Sequence, residues 1–117
     1  MNINKLPKVI RICGKDYKIK YVNKIGEKNS CAATILHQEG IITIGIKPYG
    51  NFRSKDEISE SLIHESLHAI DRIYKICWPE HRKLGLKEEQ VLRLAPAIRA
   101  LFKDNPKLLN LLKGDKL

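Results

Sequence analysis

The stretch SKDEISESLIHESLHAID, residues 54–71, marks the point where the chain changes from strand-like to helical sequence. Ser54 followed three residues later by Glu57 is a capping box, in which each side chain accepts a hydrogen bond from the other residue's backbone amide. Asp56 adds a negative charge where the helix dipole is positive. The stretch therefore predicts a helix from about Lys55 to about Cys77.

The segments on either side of this helix predict the remaining elements. Upstream, VIRIC and YKIKYV flank the turn GKD, and CAATIL and IITIGI flank HQEG, which ends in Gly40, so two β-hairpins are expected. Downstream, a second helix is predicted from about Leu86 to Lys103, and a short third one follows the cap residue Asn105. Strands precede helices, which indicates an α+β fold. We expect one domain over residues 1–117, with a β-sheet part at 1–50 and a helical part at 54–117.

Composition narrows the class of protein. Hydrophobic residues make up 43% of the 117, which is too many for a disordered chain. The net charge of +9 suits a nucleic-acid partner, but the basic residues are spread from Lys5 to Lys116 and no nucleic-acid-binding motif accompanies them. Lysine used for solubility is the favoured interpretation, and nucleic-acid binding is retained as the alternative.

No apolar run has the length of a signal peptide or a membrane span. The sequence therefore predicts a cytoplasmic protein without a membrane partner, located in the host cytoplasm if a phage encodes it. The three cysteines are widely spaced and form no C-x-x-C, so we expect small hydrophobic side chains in a reducing compartment. The oligomeric state is left open.

The motif H-E-x-x-H at residues 64–68 lies in the middle of the predicted long helix. At about 100° per residue, one half of that helix is filled by apolar side chains. These are Ile58, Leu62, Ile63, Leu67, Ala69, Ile70 and Ile73. His64 and His68 fall together in the other half, so they are not predicted to be core histidines.

Two histidines four residues apart stand one above the other on a helix, which brings both imidazoles within reach of one zinc ion. The side chain of Glu65 points to the side of this pair. From there a carboxylate reaches a metal-bound water as a general base without becoming a ligand. We therefore predict His64 and His68 as zinc ligands and Glu65 as the catalytic base. The alternative is a solvated polar face without a metal.

A catalytic zinc usually has three protein ligands. Glu88 and Glu89 lie at the start of the second predicted helix, and Glu88 shares a face with Val91, Leu92 and Ala95. Glu88 is therefore favoured as the third ligand, with Glu89 as the alternative. A further alternative is that both glutamates only complement the helix dipole. Asp71 lies one turn beyond His68 and is expected to orient a ligand or an adjacent group, as outer carboxylates at metal sites do.

H-E-x-x-H followed by a glutamate on a later helix resembles the gluzincin metallopeptidases. The fuller pattern of LIHESLHAID, LGLKEEQVLRLA and LFKDNP resembles a group of small phage and prophage zinc metallopeptidases, and so does the hairpin IRICGKDYKIKYV. This resemblance implies a small zincin-like domain with zinc at His64, His68 and Glu88 and with Glu65 catalytic. Together with the strand pattern, it also suggests that an extended peptide pairs with an edge strand within residues 31–46.

The favoured hypothesis is therefore a zinc-dependent peptidase that cleaves a peptide or protein substrate. Its oxyanion donor is one of His81, Tyr74, Tyr49 or Arg72, and His37 is interpreted as a turn residue. The alternatives are a zinc-stabilised binding module without turnover and the basic nucleic-acid-associated protein.

Overall fold

The computed structural model describes residues 3–25, 32–48, 50–77 and 85–114. Within these ranges four strands precede three α-helices, which confirms the predicted α+β order. The elements are β1 (Val9–Ile12), β2 (Lys15–Val22), β3 (Ala33–Leu36), β4 (Ile41–Gly45), α1 (Lys55–Cys77), α2 (Glu88–Asp104) and α3 (Pro106–Leu112). None of the helices in these ranges is long and apolar enough to cross a membrane.

The four strands form one mixed sheet in the order β1-β2-β4-β3. Both predicted hairpins are confirmed, because β1 with β2 and β3 with β4 are antiparallel. They are joined by a parallel pairing of β2 with β4, in which Ile19 lies opposite Ile42. Because β3 is the last strand of this order, one of its edges pairs with β4 and the other has no strand partner among the described residues.

The turn of the first hairpin is shorter than the sequence suggested. Ile12 pairs with Lys15, which leaves only Cys13 and Gly14 in the turn. Both have positive φ, 49° and 84°, as a two-residue type I′ turn requires. Cys13 is exposed there, so the expectation of a small hydrophobic role is wrong for this cysteine. Cys31 lies outside the described residues.

The core lies between one face of the sheet and α1. The sheet contributes alternate residues, as the period of two requires, including Tyr17, Ile19, Ile42 and Ile44. From α1, Ile58, Leu62 and Ala69 are buried in the same cluster. Ile63 and Leu67 remain partly exposed, whereas Ser61 and Glu65 are buried. The buried face of α1 is therefore rotated toward the histidine side of the predicted apolar half.

The helix ends follow from local chemistry. The Ser54 amide donates to Glu57 Oε1 and the Glu57 amide donates to Ser54 Oγ, both at 3.1 Å, which confirms the capping box. α2 begins at Glu88, two residues later than predicted, because Lys87 has an extended backbone (φ −84°, ψ 154°) and serves as its cap residue. Glu88 is therefore the first residue of α2.

Candidate metal centre

His64 and His68 lie one turn apart on α1 and point the same way. Their Nε2 atoms are 3.2 Å apart, and the two rings meet edge to face with centroids separated by 4.9 Å. The side chains are 18% and 26% exposed, so both are partly shielded but reachable from solvent. This edge-to-face contact is the local consequence of the four-residue spacing.

Glu88, the first residue of α2, contacts both histidines through its carboxylate. Its Oε1 lies 2.8 Å from His64 Nε2, and its Oε2 lies 2.8 Å from His68 Nε2. Its side chain is 60% exposed, so one side of the group faces solvent. His64, His68 and Glu88 are the group of potential ligands found among the described residues, with their ligand atoms within 4.8 Å of one another. Glu89 does not belong to it.

The geometry of this group suits a small divalent cation. Tetrahedral zinc with bonds of about 2.0–2.1 Å holds its ligand atoms about 3.3 Å apart. The separations of 2.8 and 3.2 Å lie slightly inside that value, so small side-chain movements would admit an ion. Two imidazole nitrogens and a carboxylate are also ligands that zinc accepts. The same distances allow hydrogen bonds from the two imidazoles to Glu88 in a chain without metal.

Glu65 follows His64 directly but lies on the inner side of α1. It is 7% exposed and is the one buried charged residue among those described. Burial raises its pKa above the usual range of a glutamate. The imidazoles of His64 and His68 lower that pKa, the Glu88 carboxylate raises it, and the effect of burial prevails. Glu65 is therefore a carboxylate whose affinity for a proton is increased next to the potential ligands.

A cleft of about 480 Å³ runs past these side chains. His64, Glu65 and Glu88 line it together with residues near β3, early α1 and the first two turns of α2. The other lining residues are Ala32, Ala33, Arg53, Glu57, Glu60, Ser61, Leu92, Ala95 and Pro96. The cleft thus lies between the β3 side of the sheet and α2, with the predicted base and two of the predicted ligands in its wall.

The edge of β3 beside this cleft offers main-chain hydrogen-bonding groups. The Gly45 amide donates to the Ala32 carbonyl at 2.8 Å, and Ala33 is the partner of Ile44. Because hydrogen-bonded and non-hydrogen-bonded pairs alternate along an antiparallel ladder, the amides and carbonyls of Ala33 and Ile35 point away from β4. Among the described residues, no other strand pairs with these outward groups.

Arg53 is a residue that the sequence reasoning missed. Its guanidinium donates to the carbonyls of Ala32 (3.3 Å), Gly45 (3.0 Å) and Glu57 (3.1 Å) and to Ser61 Oγ (2.5 Å). It thus connects the β3–β4 hairpin to the first turns of α1 at one end of the cleft. Arg53 directly precedes the capping box but is not part of it, and its acceptors are mostly backbone carbonyls, so no sequence signal could have identified it.

The carboxylate of Asp71 binds one group on α1 and one group just before α2. Its Oδ1 accepts a hydrogen bond from the Leu86 amide at 3.1 Å, and its Oδ2 forms an ion pair with Lys75 at 2.8 Å. Burial tends to raise its pKa, but the Lys75 and Leu86 hydrogen bonds outweigh that and lower the pKa below its usual value. Asp71 therefore connects α1 to the segment that leads into α2.

Among the described residues, none of the predicted oxyanion donors lies beside the group formed by His64, His68 and Glu88. Tyr49 and His81 lie outside those residues. Tyr74 is 46% exposed and does not line the cleft. Arg72 lines a different, smaller cavity beside the β3–β4 turn, together with His37. His37 is a turn residue as predicted, but its Nδ1 is buried without a hydrogen-bond partner among the described residues.

Comparisons of this chain with protein-family models, with curated proteins and with solved structures gave no significant match.

Proposed function

We propose that this chain is a zinc-dependent metallopeptidase. The observation that carries the proposal is the convergence of His64, His68 and Glu88 at one point beside a cleft, next to the buried carboxylate of Glu65. A purely structural zinc site has no need of a carboxylate with a raised pKa next to its ligands. A hydrolytic site needs one, because a general base works best when its pKa lies near the operating pH.

In the proposed reaction His64, His68 and Glu88 hold the ion, and the exposed side of the group leaves room for substrate. Zinc, when bound, supplies a Lewis acid that polarises the peptide carbonyl and makes water easier to deprotonate. Glu65 accepts the proton of the attacking water as its oxygen bonds to the carbonyl carbon. Glu65 then returns this proton to the nitrogen of the leaving amine as the carbon–nitrogen bond breaks.

The proposed substrate is an extended peptide that pairs with the outward amides and carbonyls of Ala33 and Ile35. Ala33 lines the same cleft as His64 and Glu65, so a peptide on this edge would pass the proposed metal centre. A bound peptide without main-chain hydrogen bonds to β3 would contradict this part of the proposal.

The test begins with metal content, measured by elemental mass spectrometry on protein purified without a histidine tag. We expect about one zinc per chain in the wild type and in Glu65→Gln, and loss of zinc in His64→Ala and Glu88→Ala. The same preparations are then incubated with a mixture of synthetic peptides, and cleavage is followed by mass spectrometry.

Removing a general base typically slows a reaction by about 10²–10⁴-fold, so Glu65→Gln should retain zinc but lose most cleavage. Because this variant is purified in the same way, it also controls for contaminating proteases. Equal cleavage by both proteins, or none by either, would refute the peptidase and leave a zinc-stabilised binding module. A wild type that takes up no zinc would refute both.

A further inference from the structure

Among the described residues, a partly buried carboxylate on α1 binds the segment that leads into α2. Asp71, three residues after His68, has a side chain only 15% exposed. Its Oδ1 accepts from the Leu86 amide, fifteen residues later in the chain. Its Oδ2 binds Lys75, one turn further along α1. A hydrogen bond to an ionised acceptor is stronger than a neutral one, so this connection is more than a surface contact.

Only one residue separates Leu86 from Glu88, and its conformation is defined. Lys87 is extended, its amide donates to Gln90 Oε1 at 2.8 Å, and its carbonyl accepts from the Gln90 and Val91 amides. The position of the Leu86 amide therefore determines where the first residue of α2 lies. Since that residue is Glu88, the Asp71 bond determines where the third potential ligand begins.

The ion pairs that join α1 and α2 directly lie at the other end of α2. Arg99 binds Glu60 and Asp56, and Lys103 also binds Asp56. Arg99 is eleven residues from Glu88, or about 16 Å along a helix. Among the described residues, the contacts of Glu88 itself with the two histidines and the Asp71–Leu86 bond are the polar connections to α1 near the start of α2.

Gly85 belongs to the same arrangement. A Cβ at this position would collide with the end of the Lys75 side chain and would lie 3.4 Å from Asp71 Oδ1. Without a side chain, the backbone at residue 85 leaves room for the Lys75 amine to reach Asp71. The chain thus approaches α1 closely just before Leu86.

We propose that Asp71 is a positioning residue that preorganises Glu88 for the metal by holding the start of α2 on α1. The bonds of its carboxylate go to Leu86 and Lys75, so it acts on the third ligand through the backbone rather than by fixing a histidine tautomer. The inference rests on the proposed function, because it concerns the same metal site. Loss of outer groups that orient ligands typically weakens metal binding by about 10–100-fold.

The test compares zinc affinity in Asp71→Ala, Asp71→Asn and Asp56→Ala, measured by competition with a chromophoric chelator. Asp71→Ala should weaken zinc binding about 10–100-fold. Asp71→Asn should stay within about threefold of the wild type, because an amide oxygen still accepts from the Leu86 amide. Asp56→Ala removes two ion pairs between the same two helices at their other end, and it should also leave zinc affinity within about threefold.

A second measurement does not depend on any variant folding. The Leu86 amide precedes α2 and has no partner within that helix, and among the described residues the Asp71 carboxylate is its hydrogen-bond acceptor. In zinc-free wild type, hydrogen exchange followed by NMR should show the Leu86 amide protected. Exchange as fast as in an unstructured peptide would overturn the inference.

The outcomes separate this inference from the proposed function. Zinc binding by Asp71→Ala equal to that of the wild type, or an equal loss in Asp56→Ala, overturns the positioning role and leaves the metal site in place. A wild type that binds no zinc overturns the proposed function and this inference with it.

Discussion

The assignment of Glu88, rather than Glu89, as the third ligand predicts how much zinc raises the melting temperature of the wild type and of a variant at each position. A ligand that binds only the folded state at one hundred times its Kd stabilises that state by about 2.7 kcal/mol. The entropy of unfolding is about 2.1 cal/mol/K per residue, or about 0.25 kcal/mol/K for 117 residues. Zinc at that concentration should therefore raise the Tm of the wild type by about 11 °C.

Glu88→Gln removes a charged ligand whose two oxygens lie 2.8 Å from the two imidazoles. If its zinc affinity falls 100-fold, the same zinc concentration equals its Kd and stabilises it by only about 0.4 kcal/mol. The Tm would then rise by less than about 2 °C. Glu89→Gln is the matched control, because it changes the neighbouring exposed carboxylate by the same chemistry, and it should behave as the wild type does.

The assay is differential scanning calorimetry of the three proteins with zinc and with excess chelator, at pH 7.5 and constant protein concentration. The difference between the two scans of each protein isolates the metal effect from any direct effect of the substitution. Equal zinc shifts in Glu88→Gln and the wild type would refute the assignment of Glu88. A loss in Glu89→Gln as large as that in Glu88→Gln would show that general charge near the helix start, rather than ligation, is responsible.

Three further predictions concern the scaffold around the site. Ser54→Ala removes the cap of α1 and should lower the free energy of unfolding by about 1 kcal/mol in urea titrations. The control Ser59→Ala, inside α1, should change it by less than about 0.5 kcal/mol. Arg53→Met leaves several carbonyls without their charged donor and should lower the free energy of unfolding by about 2–3 kcal/mol in the same titrations. The matched change at an exposed arginine, Arg93→Met, should lower it by less than about 0.5 kcal/mol. Glu65→Gln should stabilise the metal-free chain at pH 8. The raised pKa means that the folded state loses stability relative to the unfolded state as pH rises through the pKa of Glu65. The advantage of the glutamine should therefore disappear at about pH 4 and below, where the carboxyl is protonated in both states.

Each of these predictions has an outcome that contradicts it. A Ser54→Ala chain as stable as Ser59→Ala would mean that the capping box contributes nothing measurable. Equal effects of Arg53→Met and Arg93→Met would remove the role assigned to the Arg53 hydrogen bonds. A pH-independent difference between Glu65→Gln and the wild type would show that burial does not raise the pKa of this carboxyl.

Much of the local structure could be predicted because it depends on neighbours in the sequence. The residues of the capping box lie three apart, and the two histidines lie four apart, so a single helical turn decides both contacts. Both hairpins pair strands joined by turns of two to four residues, and alternation identifies the strands. The start of α1, the contact between its two histidines and the two hairpins were therefore predictable from residues close together in the chain.

The contacts that were missed join residues far apart in the chain. The parallel pairing of β2 with β4 depends on how two hairpins pack beside one helix, and strand alternation does not encode that choice. Helical phase favoured Glu88 over Glu89 because Glu88 shares a predicted inward face with Val91, Leu92 and Ala95. Val91 and Ala95 are buried, but Leu92 is 58% exposed. Phase alone could not place the Glu88 carboxylate between the histidines.

By itself, the sequence determined the α+β order, the start of α1 and the contact between His64 and His68, because the hydrogen bonds and side-chain spacings involved are local. Tertiary structure alone decided the burial of Glu65 and the bond from Asp71 to the Leu86 amide that leads into Glu88. These features require α1, the sheet and α2 to be packed together. Burial and long-range contacts depend on that packing, so the helical and strand periodicities of the sequence do not predict them.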